Sequence, residues 1–179
     1  SFMMVEKFAY SVGDISLLFM LNYVFNLLFA PKIGRWIHKI GEQRALCIEY
    51  AGLIGVFAGY AWVENSQLAA SLYVIDHLFF AMAIAVKTYF QKIADHKDIA
   101  STAGVSFTIN HIAAVMIPAL LGIVWLTSPS SVFYIGAGFA VCSLVLALNI
   151  PVQPTRGNEV RVNMLRWANL PIEIPTKER

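Results

Sequence analysis

Five stretches of the chain are apolar with no regular polar interruption, at 8–30, 45–63, 68–90, 100–126 and 132–150. Each approaches or exceeds the roughly 20 residues a helix needs to cross a hydrocarbon core of about 30 Å. A spanning barrel strand would alternate apolar and polar residues. A helix on a soluble core would keep a polar face. These stretches do neither, and in lipid every peptide group must be paired within its own element. The pattern therefore predicts an all-α fold, a polytopic helical membrane bundle of about five transmembrane helices. Pro31 is expected to stop the first span and Pro151 to follow the last.

The polar connections alternate in character. Segment 32–44 carries Lys32, Arg35, His38, Lys39 and Arg44 against Glu42 alone. Segment 64–67 is short and carries Glu64, and 127–131 is short and uncharged. Segment 91–99 carries Lys92, Asp95, His96, Lys97 and Asp98. The tail, 151–179, carries Arg156, Arg161, Arg166, Lys177 and Arg179. Lysine and arginine thus gather at one end of the bundle, the end expected in the cytoplasm. The domain organisation read from this is a transmembrane bundle over 1–150 and a cytoplasmic C-terminal tail over 151–179. Within the tail, Val160, Met164, Leu165 and Trp167 alternate with Arg161 and Arg166. That pattern suits either a short helix lying in the interface or a solvated tail.

Composition agrees with the pattern. Hydrophobic residues make up 58% and charged residues 13%, where soluble domains sit near about half and a quarter. The net charge of +2 gives no basic field, so nucleic acid is not an expected partner. Cys47 and Cys142 lie in apolar runs without a CxxC neighbour, so no disulfide or metal site is expected. No HExxH, GxSxG or GxxxxGK[ST] motif is present. No cofactor is expected, the chain is not expected to be an enzyme, and any driving energy would come from a gradient rather than ATP. No basic segment precedes the first span, which argues against a signal peptide.

Polar groups at membrane depth are costly and mark paths or interhelical contacts. Asn22 and Asn26 share a helical face with Asp14; they read as cavity-lining amides or as interhelical glue. Asp76 and His77 are adjacent, and Lys87, eleven residues on from Asp76, shares its helical face. This suits a charged path with a proton carrier, or a snorkelling lysine with a rim histidine. Thr102, Ser106 and Asn110 recur every four residues, with His111 following. His111 is either a titrating group coupled to transport or a neutral packing residue. Pro118 predicts a kink. Gly52, Gly55 and Gly59 read as helix packing, and Glu49 is expected to pair with a loop cation.

The segment from Gly34 to Arg44 resembles the loop motif of the major facilitator superfamily, Gly-x-x-x-Asp-[Arg/Lys]-x-Gly-[Arg/Lys]-[Arg/Lys]-[Arg/Lys]. Gly34, Lys39, Gly41 and Arg44 match. His38 stands where the family has Asp, and Glu42 and Gln43 stand where it has basic residues. The run 103–125 is similar to the eleventh helix of such transporters, and the likeness covers roughly 8–150. The resemblance implies half of a major facilitator-type fold, the C-terminal half from about the eighth helix to the twelfth. It implies a gating role for the Gly34, His38, Lys39, Gly41 and Arg44 loop, without the charge relay that the absent Asp would serve.

It also implies secondary active transport of a small solute by alternating access. Expected partners are the lipid bilayer, the solute with a coupling proton, and the missing N-terminal half; the odd number of spans also points to a fragment. The expected setting is the plasma (inner) membrane, with the C-terminus cytoplasmic. A non-transporting assembly or sensing module is the alternative, and a membrane-embedded enzyme the more remote one. The residues expected to line the translocation path are Asn22, Asn26, Asp76, Asn110 and His111.

Overall fold

The structure is a computed structural model that describes residues 2–162. Among these, the helices are α1 (Phe2–Phe8), α2 (Val12–Ile40), α3 (Glu42–Trp62), α4 (Ser66–Phe80), α5 (Ile84–Ile93), α6 (His96–Thr127) and α7 (Pro129–Leu148). A 3-10 turn, Ala81–Ala83, joins α4 to α5. The expected tail positions Met164, Leu165, Arg166 and Trp167 lie outside the described residues.

The all-α bundle is as the sequence predicts. Five segments are long and apolar enough to cross a membrane: α2, α3, α4 with α5, α6 and α7. Their ends differ in instructive ways. The first span starts at Val12, because α1 is a separate short helix closed by Ala9 at φ 53. The Tyr10 amide reaches back to the Met4 carbonyl across this turn, satisfying a helix-end acceptor. Ser11 then caps α2: its hydroxyl accepts from the Asp14 amide, and the Asp14 carboxylate accepts from the Ser11 amide. Asp14 is thus spent on the cap.

Pro31 does not stop α2, which continues for nine more residues to Ile40. Proline removes one backbone bond and favours a kink, but Ile33, Ile37 and Ile40 recur on one face and pack into an apolar cluster with Ala45, Leu46 and Ala85. That burial holds the extension helical. Most of the expected loop 32–44 is therefore helix, and Gly41 alone separates α2 from α3. At φ 87 it occupies backbone space that side chains disfavour.

α3 is the central helix, packed most extensively on α7 and also on α4 and α5. At its far end, Val56, Tyr60 and Val63 join Met3, Met4, Tyr73 and Trp125 in a second cluster. Gly52 lets α4 approach, since a Cβ there would run into the Phe79 ring, whereas Gly55 faces open space. Overpacking of this kind costs about 1–3 kcal/mol. Gly52→Ala should therefore lower unfolding stability in detergent by that amount, while Gly55→Ala leaves it unchanged or higher. Equal stability of the two variants would refute the close approach.

α6 behaves differently. It packs on α7, Trp125 is its buried residue, and its apolar window has none. It runs without interruption through Pro118. Beyond α7, residues 151–162 lie against the basic end of the bundle. Arg161 donates to Gln43 Oε1 at 3.0 Å, Tyr89 donates to the Glu159 carbonyl at 2.6 Å, and Arg156 donates to the Ala94 carbonyl at 2.9 Å. This part of the tail straps both helix joints of that end.

Candidate functional site

The face of α2 that carries Asn22 and Asn26 meets α4 and the 3-10 turn. Between them lies a small cavity of about 10 Å³, the room of roughly one water molecule. Asn22, Phe25, Asn26, Phe29 and Ile33 line it from α2, and His77, Leu78 and Ala81 line it from the other side. The four-residue spacing of the two amides is what places both here.

Asn22 is only 7% exposed, and neither its Nδ2 nor its Oδ1 has a partner among the described residues. A buried amide in that state carries a desolvation cost of about 1–3 kcal/mol for each unpaired group. His77 Nδ1 sits 2.9 Å from the Tyr73 carbonyl. In the neutral ring that contact puts the N–H on Nδ1 and leaves Nε2 as an acceptor.

Asp76 does not line this cavity, although its carboxylate is 3.8 Å from His77 Nδ1. Between Asp76 and Lys87 the 3-10 turn Ala81–Ala83 interrupts the α-helix, and over three residues such a turn advances about 60° further than α-helix would. Asn110 and His111 are exposed on α6, apart from the cavity. His111 turns to its own helix, with Nδ1 2.9 Å from the Phe107 carbonyl. Of the five path residues read from the sequence, the structure brings Asn22 and Asn26 together. Phe25, Phe29 and His77 join them.

At the basic end a larger cleft of about 290 Å³ opens between α2 and α5, lined by Gly34, Ile37, His38 and Glu42 on one side and Ile84, Thr88, Gln91 and Lys92 on the other. Gly34 and His38 of the loop motif face it, while Lys39 and Arg44 are exposed. Glu42 and Gln43, the departures from the motif, are both buried and both paired. Glu42 lies 2.6 Å from Lys92, and it begins α3, where an acid also suits the helix dipole. Gln43 accepts from Arg161 and donates to the Leu148 carbonyl.

Glu49, expected to pair with a loop cation, does not. It is 2% exposed, its Oε2 has no partner among the described residues, and the acid that takes a cation there is Glu42, two turns earlier. At the α5–α6 joint, Arg156 lies 3.8 Å from Asp95 and 3.1 Å from His96 Nδ1. The Lys97 amide and then the Arg156 charge hold the Asp95 carboxyl below its ordinary range. No group of three His, Cys, Asp or Glu side chains among the described residues is placed to hold a metal ion.

Five apolar segments, a buried amide with no partner among the described residues, and lysine and arginine gathered mainly at one end define a polytopic α-helical membrane protein. The family profile of the Major Facilitator Superfamily matches residues 1–170, and the chain belongs to that family. It is a transporter of the major facilitator type. No curated protein and no solved structure matches it significantly.

Proposed function

We propose that this chain is the C-terminal half of a secondary transporter that moves a small solute by alternating access. The observation that carries the reading is Asn22, a buried amide whose two polar atoms have no partner among the described residues, at the wall of a membrane-embedded cavity. Amides of that kind await a partner from outside the bundle. The bare lengths of α2 and α6 support a second half: each carries a run of exposed large apolar residues with polar ones interspersed. A face that held only lipid would have no use for Asn26, Asn110 and His111. On this reading α2 and α6 face the N-terminal half and the solute path lies between the halves, as in other inverted-repeat transporters.

The basic end is cytoplasmic by its lysine and arginine excess, and the plasma (inner) membrane is the proposed setting. His111 and Asp76 are the groups through which a coupling proton would act. The test is uptake by the complete protein in proteoliposomes across a solute panel, with and without a proton gradient. The expected result is saturable uptake of at least one solute. Absence of uptake across the panel, from protein shown to be folded and correctly inserted, would overturn the proposal.

A further inference from the structure

The cavity between α2 and α4 says something about the chemistry of its occupant, and the inference rests on its being the solute site. Its lining contains no aspartate, glutamate, lysine or arginine. Lys32 is not part of the lining; its ammonium lies 5.3 Å from the centroid of the Phe29 ring, which is. Asp76, the nearby acid, does not line the cavity. A charge placed against Asn22 would find no aspartate, glutamate, lysine or arginine in the lining to balance it; the ionisable side chain there is His77, whose Nδ1 is engaged by the Tyr73 carbonyl. That is an expensive arrangement, for which amide hydrogen bonds alone do not compensate.

The polar groups present are matched to something neutral. Asn22 offers one donor group and one acceptor on a single planar amide, and neither is engaged within the described residues. Asn26 adds a second amide one turn further on. His77, its Nδ1 occupied by the Tyr73 carbonyl, adds the acceptor Nε2. Phe25 and Phe29 stand with ring centroids 5.8 Å apart along the same wall, and they present carbon to the flank of an occupant. The space admits one water-sized polar group rather than a whole solute.

We propose that this cavity receives one small uncharged polar group of the solute, such as a hydroxyl or the leading atom of a carboxamide, while the rest of the solute lies outside it. It thereby selects neutral polar solutes over carboxylates and ammonium ions. Discrimination comes from the missing counter-charge rather than from shape.

Two matched pairs of probes test this: glucose against gluconate, and nicotinamide against nicotinate. Binding to the complete purified protein is titrated by thermal shift in detergent, and any solute that binds is then followed in proteoliposome uptake. At least one neutral probe is expected to bind, with its charged counterpart weaker by about tenfold or more, the equivalent of 1.4 kcal/mol. Asn22→Leu and Asn22→Asp should both lose that binding, and Asn26→Leu should weaken it; monodispersity of each variant checks folding. Charged probes binding as well as neutral ones, with binding still lost in Asn22→Leu, would overturn the selectivity and leave the solute site standing. Neutral-probe binding unchanged in Asn22→Leu would overturn both, because the cavity would then hold a structural water. Failure of all four probes to bind would overturn the selectivity as stated.

Discussion

An Asn22→Leu variant of the complete transporter is expected to insert and fold normally, and to lose solute uptake by about 10- to 100-fold. The size follows from removing hydrogen bonds worth about 1.5–3 kcal/mol to a bound polar group. The pairing of effects is more telling than the loss itself. Asn22 is buried, yet both its polar atoms lack partners among the described residues. No protein group among the described residues offsets the amide's desolvation cost. Leucine, which shares the branching of asparagine in a larger side chain, removes that cost, so the unfolding temperature in detergent should stay level or rise while uptake falls. An amide that merely glued α2 to α4 would behave oppositely, with stability dropping and uptake following it down. Uptake kinetics beside a thermal unfolding curve distinguish the two, and unchanged uptake would remove Asn22 from the site.

Much of this architecture is legible in the sequence because lipid leaves so few solutions. A stretch with no polar face and no strand alternation can only be a helix that lipid surrounds. The five spans follow from that alone. The ends were harder to read, since they depend on packing. Pro31 marks the end of the apolar run, but the helix persists because Ile37 is buried beyond it. α1 is too short for periodicity to show, and its closure depends on Ala9 adopting a positive φ that sequence would assign to glycine.

Within the site, the shared face of Asn22 and Asn26 is a local property of one helix, and spacing reveals it. The choice of His77 over Asp76 as the group opposite is set by the rotation of α4 against α2 and by the turn at Ala81–Ala83. No spacing rule carries that information. The same holds for the two acids of α3. Glu42 and Glu49 lie on one buried stripe of the helix, and only the position of α5 decides that Glu42 receives the lysine.

That pair supports the second large effect. Glu42 has a side chain only 4% exposed, and Lys92 from the end of α5, itself 46% exposed, lies 2.6 Å away. Removing one partner of a fully buried pair costs about 3–5 kcal/mol, because the other charge is left unmatched in a poor solvent for it. Water reaches the lysine here, which screens part of the interaction. A loss of about 2–3 kcal/mol is expected for Lys92→Met, seen as a lower unfolding midpoint in detergent. The double variant Glu42→Leu with Lys92→Met should recover most of that loss, since an apolar pair avoids the cost of a stranded carboxylate. The pair also ties the start of α3 to the end of α5 across the mouth of the 290 Å³ cleft. Its loss should therefore quicken labelling of a cysteine placed at Thr88, within that cleft. A Lys92→Met protein as stable as the parent, with labelling at the parent's rate, would show that the contact is a surface ion pair of no consequence to the bundle.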